Sequence, residues 1–204
     1  MGNLSLGDQV LAVDRWSGQL VYSEVISFMD KQRDRFAQYF KIETDKETLE
    51  LTGNHMLYVI ADCKNATDDH STTSPYAVGW SGARAIFASD VVPGQCIFIA
   101  RTSVNLTARL TMPSVVKGVR KILLRGAFAP LTSHGTLVVD NIVASCYGVF
   151  SSEHLAHMAF LPLRLLKNVF TKGGEETSSG IDWYSRTILT VARTFFPRSW
   201  FRIR

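Results

Sequence analysis

The sequence predicts an all-β domain over residues 1–150, followed by a helical appendage over residues 151–204. Three observations carry that expectation. Short β-branched or aromatic runs recur between turn signals as far as Phe150. Two pairs of segments repeat in the same order, and the apolar period becomes helical after Phe150.

Taken in order, the first expected strand is Gln9–Val13, opened by Gly7 and separated from Leu20–Ile26 by the Ser17-Gly18 turn signal. Ala37–Ile42, Leu49–Thr52, Met56–Ile60, Cys96–Ala100, Ser114–Leu124, Leu137–Val143 and Cys146–Phe150 follow. No long helical period competes with these runs.

The repeat is the most informative feature. Gly7-Asp-Gln-Val-Leu-Ala-Val13 aligns with Gly94-Gln-Cys-Ile-Phe-Ile-Ala100, and Leu51 to Val59 aligns without gaps on Leu131 to Val139. The paired segments lie 44 residues apart in the first copy and 37 in the second. Such a duplicated β unit is expected to pack about a pseudo-two-fold axis, because neither half buries its apolar face alone.

Beyond Phe150, Leu155, Met158 and Ala159 form one helical face, and Leu163, Leu166, Val169 and Phe170 another, with Pro162 suited to start a new turn. After the polar run 172–180, Ile181, Tyr184, Ile188, Val191 and Phe195 mark an amphipathic helix that Pro197 stops.

The formal charge of +4 is concentrated in the last forty residues, where Lys167, Lys172, Arg186, Arg193, Arg198, Arg202 and Arg204 lie. Basic residues interleaved with large apolar ones point to anionic membrane surfaces or acidic partners and away from nucleic acid. No signal peptide and no membrane-spanning run are present in this sequence. N-x-[ST] triplets at Asn3, Asn65 and Asn105 fit a secretory route. Cys63, Cys96 and Cys146 show no metal spacing and are odd in number, so at least one thiol is free, and buried structural thiols are the plain expectation. His134, His154 and His157 have no Asp or Cys at ligand spacing, so no metal is expected, nor any cofactor.

Thr52-Gly-Asn-His55 is the candidate for chemistry. A hydroxyl and an imidazole three residues apart across a turn can face one carbonyl or amide, the Thr polarising it and the His protonating a departing nitrogen. A His in a turn is as a rule structural, but only the first repeat copy carries it: His55 aligns with Gly135, whereas Thr52 aligns with Thr132. Asp30, after Val25–Met29, is either a solvated strand-end residue or a base for an alcohol. Cys146, within Ala144-Ser-Cys-Tyr147, reads as packed rather than reactive.

Five separated blocks resemble the signature of hedgehog C-terminal autoprocessing (Hint) domains: Leu4 to Leu11, Val21 to Asp30, Leu51 to His55, Ala129 to Thr136 and Val143 to Tyr147. Gly180-Ile-Asp-Trp-Tyr184 and Pro197-Arg-Ser-Trp200 resemble the end of such proteins. The resemblance implies an all-β disc with internal pseudo-two-fold symmetry, shared with inteins. It implies a two-step reaction: a cysteine attacks the preceding glycine carbonyl to give a thioester, and cholesterol then displaces it. Carried over, it makes Thr52 and His55 the pair assisting the first step, Asp30 the base for the sterol hydroxyl and Cys146 a neighbour of the active centre. It also makes residues 151–204 a sterol-recognition region, with sterol, a membrane surface and an N-terminal signalling domain of the precursor as partners, in the secretory pathway.

Two positions depart from the family pattern. The Thr–His spacer is Gly53-Asn54 in place of Pro-Ala. The family's cysteine belongs shortly upstream of Leu4, and with it the first strand of the disc; neither is in this sequence, which is therefore expected not to form the thioester by itself. The alternative expectation is a non-catalytic sterol- or membrane-binding module. An intein-type splicing element is disfavoured, because the sequence ends Phe-Arg-Ile-Arg204 and not in a His-Asn pair.

Overall fold

Two long strands, β2 (Leu20–Thr44) and β7 (Arg109–Thr132), organise a computed structural model that describes residues 1–15, 17–61, 63, 83–102, 109–148 and 153–165, with Thr187, Thr190 and Thr194. The other strands are β1 (Gln9–Val13), β3 (Thr48–Thr52), β4 (Met56–Ile60), β5 (Arg84–Phe87), β6 (Cys96–Thr102), β8 (Thr136–Val139) and β9 (Ile142–Ser145). A 3-10 turn spans Ala88–Asp90, and two short helices close the described chain, α1 (Glu153–Ala159) and α2 (Leu161–Leu165).

All the strand pairings are antiparallel, in the order β1-β2-β7-β6-β4-β9-β8, with β3 added to β2 and β5 to β4. Register shifts between Val25 and Ser27, Phe28 and Asp30, and Gln32 and Phe36 bend β2 against β7, because an unpaired residue kinks its strand. One strand thereby serves two parts of the sheet. At the far end, Thr136 Oγ1 accepts from Val13 N–H at 2.9 Å and donates to Val13 C=O at 2.7 Å, tying β8 to β1.

The core draws side chains from most of the strands and from both helices. Ile42, Leu49, Leu57, Ile97, Ile99, Leu131 and Ile142 are at most 1% exposed. Burial of each such side chain contributes roughly 1.5–3 kcal/mol. Ile42 and Leu49 face each other directly in the β2–β3 register, as do Phe40 and Leu51.

The duplication is visible bond by bond. Gly7 N–H donates to Val25 C=O and Val25 N–H to Asp8 C=O, both at 2.8 Å. Gly94 N–H donates to Val116 C=O at 2.9 Å and Val116 N–H to Gln95 C=O at 2.8 Å. Gly7 and Gly94 share nearly the same left-handed φ, +89° and +92°, which only glycine adopts without strain. The later segments match as well: His55 N–H donates to Thr52 C=O at 3.0 Å, and Gly135 N–H to Thr132 C=O at 3.1 Å.

Several elements differ from expectation. Leu20–Ile26 and Ala37–Ile42 belong to one strand, because the polar run between them is absorbed as a bulged bend. Leu137–Val143 is a hairpin: Asp140 and Asn141 both take positive φ (48° and 60°), a two-residue turn that reverses the chain. Cys146 follows the end of β9 and starts no strand; Val149 and Phe150 lie outside the described residues. β5 was not expected, and β7 extends through Pro113 and Pro130, which broke the strand pattern. In the helices the buried side chains are Ala156, Phe160 and Leu163, at i, i+4 and i+7, while Leu155 and Met158 are exposed. Leu163 is buried and Ala159 packs partly buried against the core, as the apolar pattern suggested, whereas Leu155 and Met158 depart from it. The expected second helical face at Leu166, Val169 and Phe170, the Ile181–Phe195 helix and the triplets at Asn65 and Asn105 lie outside the described residues.

Candidate functional site

β3 ends at Thr52 and β4 begins at Met56, so the tight turn between them places both candidate side chains at one rim. Thr52 Oγ1 and His55 Nδ1 are 2.7 Å apart. The turn is held from outside as well: Ala88 N–H donates to His55 C=O at 2.7 Å and Ser89 N–H to Gly53 C=O at 3.2 Å. With its carbonyl engaged by the 3-10 turn, the Gly53-Asn54 spacer is pinned.

Burial lowers the His55 pKa to about 4. The resting ring is neutral at physiological pH and must collect a proton before it can deliver one. This refines the role read from sequence, which began from an imidazole titrating near neutrality.

The pair borders an open, mainly apolar cavity of about 70 Å³ that Tyr39, Leu51, Phe128, Pro130 and Cys146 also line. Thr52 and His55 are thus brought together with Cys146, but Asp30 is not among the lining residues. Asp30 does not end a strand, as expected; it lies within β2 at a register shift, paired with Ala129. Its pKa is raised by burial, against the opposing pull of a 3.0 Å hydrogen bond from Gln32 and the charge of Arg35.

Tyr39 is the residue that sequence reasoning missed. It sits directly opposite Thr52 in the β2–β3 register, lines the cavity and donates its hydroxyl to Gly126 C=O at 2.8 Å. Burial raises its pKa, and the Asp30 charge raises it further. No motif marks it; only the strand register does.

Cys146 is 1% exposed, and its Sγ lies 3.6 Å from Thr132 Oγ1. Because the Thr132 hydroxyl proton is given to Thr136 C=O at 2.7 Å, the thiol is the donor in that contact. Cys63 and Cys96 form a disulfide, where buried structural thiols were the plain expectation, and Cys146 is the free, buried thiol. Spacing alone does not reveal such a pairing. His134 pairs with Ser23 (Nδ1 to Oγ, 2.8 Å) and His157 with Tyr147 and Arg164, so both rings have protein partners.

Comparison with known proteins gives this arrangement a family. The Hint module profile matches residues 1–197. The chain is 36% identical to Indian hedgehog protein of Xenopus laevis over 95% of its own length and 43% of the relative's. It is 36% identical to Sonic hedgehog protein of Danio rerio over 91% of this chain and 43% of that one, and 30% identical to Protein hedgehog of Drosophila erecta over 98% and 42%. It therefore spans less than half the length of these relatives. Among solved structures, a DnaX mini intein from Spirulina platensis superposes with a TM-score of 0.48 at 17% identity, covering 70% of this chain and 88% of that one. The chain belongs to the Hint module family, in the form carried by hedgehog proteins.

Proposed function

We propose that this chain is the autoprocessing domain of a hedgehog-type precursor, working as an acyl-transfer device whose final acceptor is a sterol. The observation that carries the reading is the 2.7 Å Thr52–His55 contact at a cavity rim, in only one of two copies of the same turn. The attacking thiol is the one that the hedgehog resemblance implies, a cysteine upstream of Met1 in the precursor; in this chain Cys63 and Cys96 are joined and Cys146 is buried.

In the first step that thiol sulfur attacks the preceding glycine carbonyl and the peptide C–N bond breaks. Neutral His55 takes the thiol proton and passes it to the departing nitrogen, leaving a thioester and a free amine. An imidazole with a depressed pKa is a weak base but a strong acid once protonated, which suits delivery to the nitrogen. Thr52 orients the ring through Nδ1. In the second step the sterol oxygen attacks the thioester carbon and the C–S bond breaks. The hydroxyl proton goes to Asp30, and the thiolate that leaves is reprotonated by solvent. Burial makes Asp30 a stronger base than an exposed carboxylate.

On this reading the N-terminal unit does the bond chemistry, and the segment beginning at α1 handles the sterol near a membrane surface, in the secretory pathway. Linking a reporter ending in Gly to a Cys-containing strand ahead of Met1 tests it. His55→Ala is expected to slow thiol-induced release of the reporter by about 10²–10⁴-fold. Equal rates for the variant and the parent would overturn the assignment.

A further inference from the structure

The second copy of the turn, Thr132 to Gly135, has glycine at the position that His55 holds in the first, and the space there is filled. Thr132 Oγ1 accepts from Gly135 N–H at 3.0 Å and donates to Thr136 C=O, so the hydroxyl is consumed by backbone. Gly135 has φ +76°, and a β-carbon there would stand 2.8 Å from Tyr147 Oη and 2.9 Å from His157 Nδ1. Gly135 C=O accepts from Cys146 N–H at 3.0 Å, which sets Tyr147 over the turn.

The helices attach at this point. Arg164 of α2 donates to Tyr147 Oη at 2.6 Å and to His157 C=O at 2.6 Å, and its Nη1 also meets His157 Nδ1. Tyr147 Oη is 3.1 Å from the same Nδ1, and its ring packs edge-on against His157 and tilted against Phe160, with centroids 5.9 and 5.8 Å apart. A guanidinium only donates, so His157 Nδ1 is the acceptor and carries no proton.

We propose that Tyr147, His157 and Arg164 are positioning residues of the transfer step, docking α1 and α2 on the turn that mirrors the Thr52–His55 site, and that the docking requires His157 to be neutral. The inference rests on the preceding reading that the segment beginning at α1 handles the sterol. Among the described residues, the titratable and charged groups shown around this point are Arg164 of α2, Arg15 beyond β1, and Tyr147 and Cys146 beyond β9; His134 of the turn engages Ser23. Arg15 and Arg164 already repel one another, and a proton on His157 adds a third positive charge while turning an acceptor into a donor. The docked form therefore binds fewer protons than the released form. Docking thus weakens as pH falls.

The test uses the full chain at pH 7.5 and 5.5, reading amide hydrogen exchange over residues 153–165 and capture of a photoactivatable cholesterol analogue. Protection and capture in the wild type are expected to fall together, about tenfold, at pH 5.5. His157→Asn, which offers an amide oxygen near the Nδ1 position and does not titrate, keeps both at pH 5.5. Arg164→Met loses both at pH 7.5 while the melting temperature of the β disc is unchanged. Equal wild-type protection at the two pH values, or full protection in Arg164→Met, overturns the docking. Release of the helices without loss of capture overturns the positioning role. Capture by no variant at either pH overturns the sterol reading instead, while the exchange data still decide the docking.

Discussion

Thr52 Oγ1 lies 2.7 Å from His55 Nδ1, and this contact has no counterpart in the otherwise repeated turn, where Gly135 replaces the histidine. A duplicated β unit has in this way been made asymmetric: one turn presents a hydroxyl and an imidazole to a cavity, and its equivalent seats the following helices.

The low His55 pKa sets an acid limit on stability. The folded value of about 4 lies below the ordinary 6.5, so the folded state binds fewer protons than the unfolded one. The associated stability is present above pH 6.5 and is lost as pH falls towards 4. His55 as a whole residue is half-buried, so the loss is expected to be about 1–3 kcal/mol. Chemical denaturation from pH 7.5 to 4 measures it. His55→Gln is expected to flatten this slope, and an unchanged slope would place the titrating group elsewhere.

Much of the fold was legible because it follows from alternation and repetition. Gly7 and Gly94 aligned in sequence, and they hold matching left-handed conformations and matching bonds to Val25 and Val116. Bends made without turn residues were hidden. The run Asp30 to Arg35 is polar enough to resemble a loop, yet β2 passes through it by shifting register. The Thr52–His55 pair was readable because its members are three residues apart. Tyr39 was not, because only the β2–β3 register puts it opposite Thr52, and Arg164 was not, because its partners arrive from the end of the sheet and from the preceding helix.

Tyr39→Phe removes one half-buried hydrogen bond, to Gly126 C=O, and is expected to cost about 0.5–1.5 kcal/mol in urea denaturation. If Tyr39 also fixes the bend that carries Asp30, carbon-13 NMR should show the Asp30 midpoint moving down towards the usual carboxylate range as water enters. An unmoved midpoint would limit Tyr39 to stability.

The Cys63–Cys96 disulfide closes 33 residues of chain, most of them outside the described residues. In the loop-entropy account a closure of this length contributes about 3–4 kcal/mol. Cys63→Ser is expected to lower stability by up to that amount, and reductant should lower the wild type equally while leaving the variant unaffected. Equal stability of variant and wild type under oxidising conditions would show that the bond does not restrain the unfolded chain.

Gly135→Ala puts a β-carbon within 3 Å of Tyr147 Oη and His157 Nδ1 on a backbone that disfavours it. A loss of about 1–3 kcal/mol is expected, combining strain with displaced helices. Gly7→Ala, where no atom lies within 4 Å, should show only the backbone part. Equal losses in thermal melts of the two variants would indicate that the helices do not press on Gly135.

The most direct measurement of the central claim joins a reporter and a Gly-Cys junction to this chain and follows release with a thiol and, separately, with cholesterol. The account predicts that the parent responds to both, that His55→Ala responds to neither, and that Asp30→Asn keeps thiol-induced release while losing sterol-induced release by about 10²-fold or more. Sterol-induced release unaffected by Asp30→Asn, or no release from the parent under either condition, would contradict it.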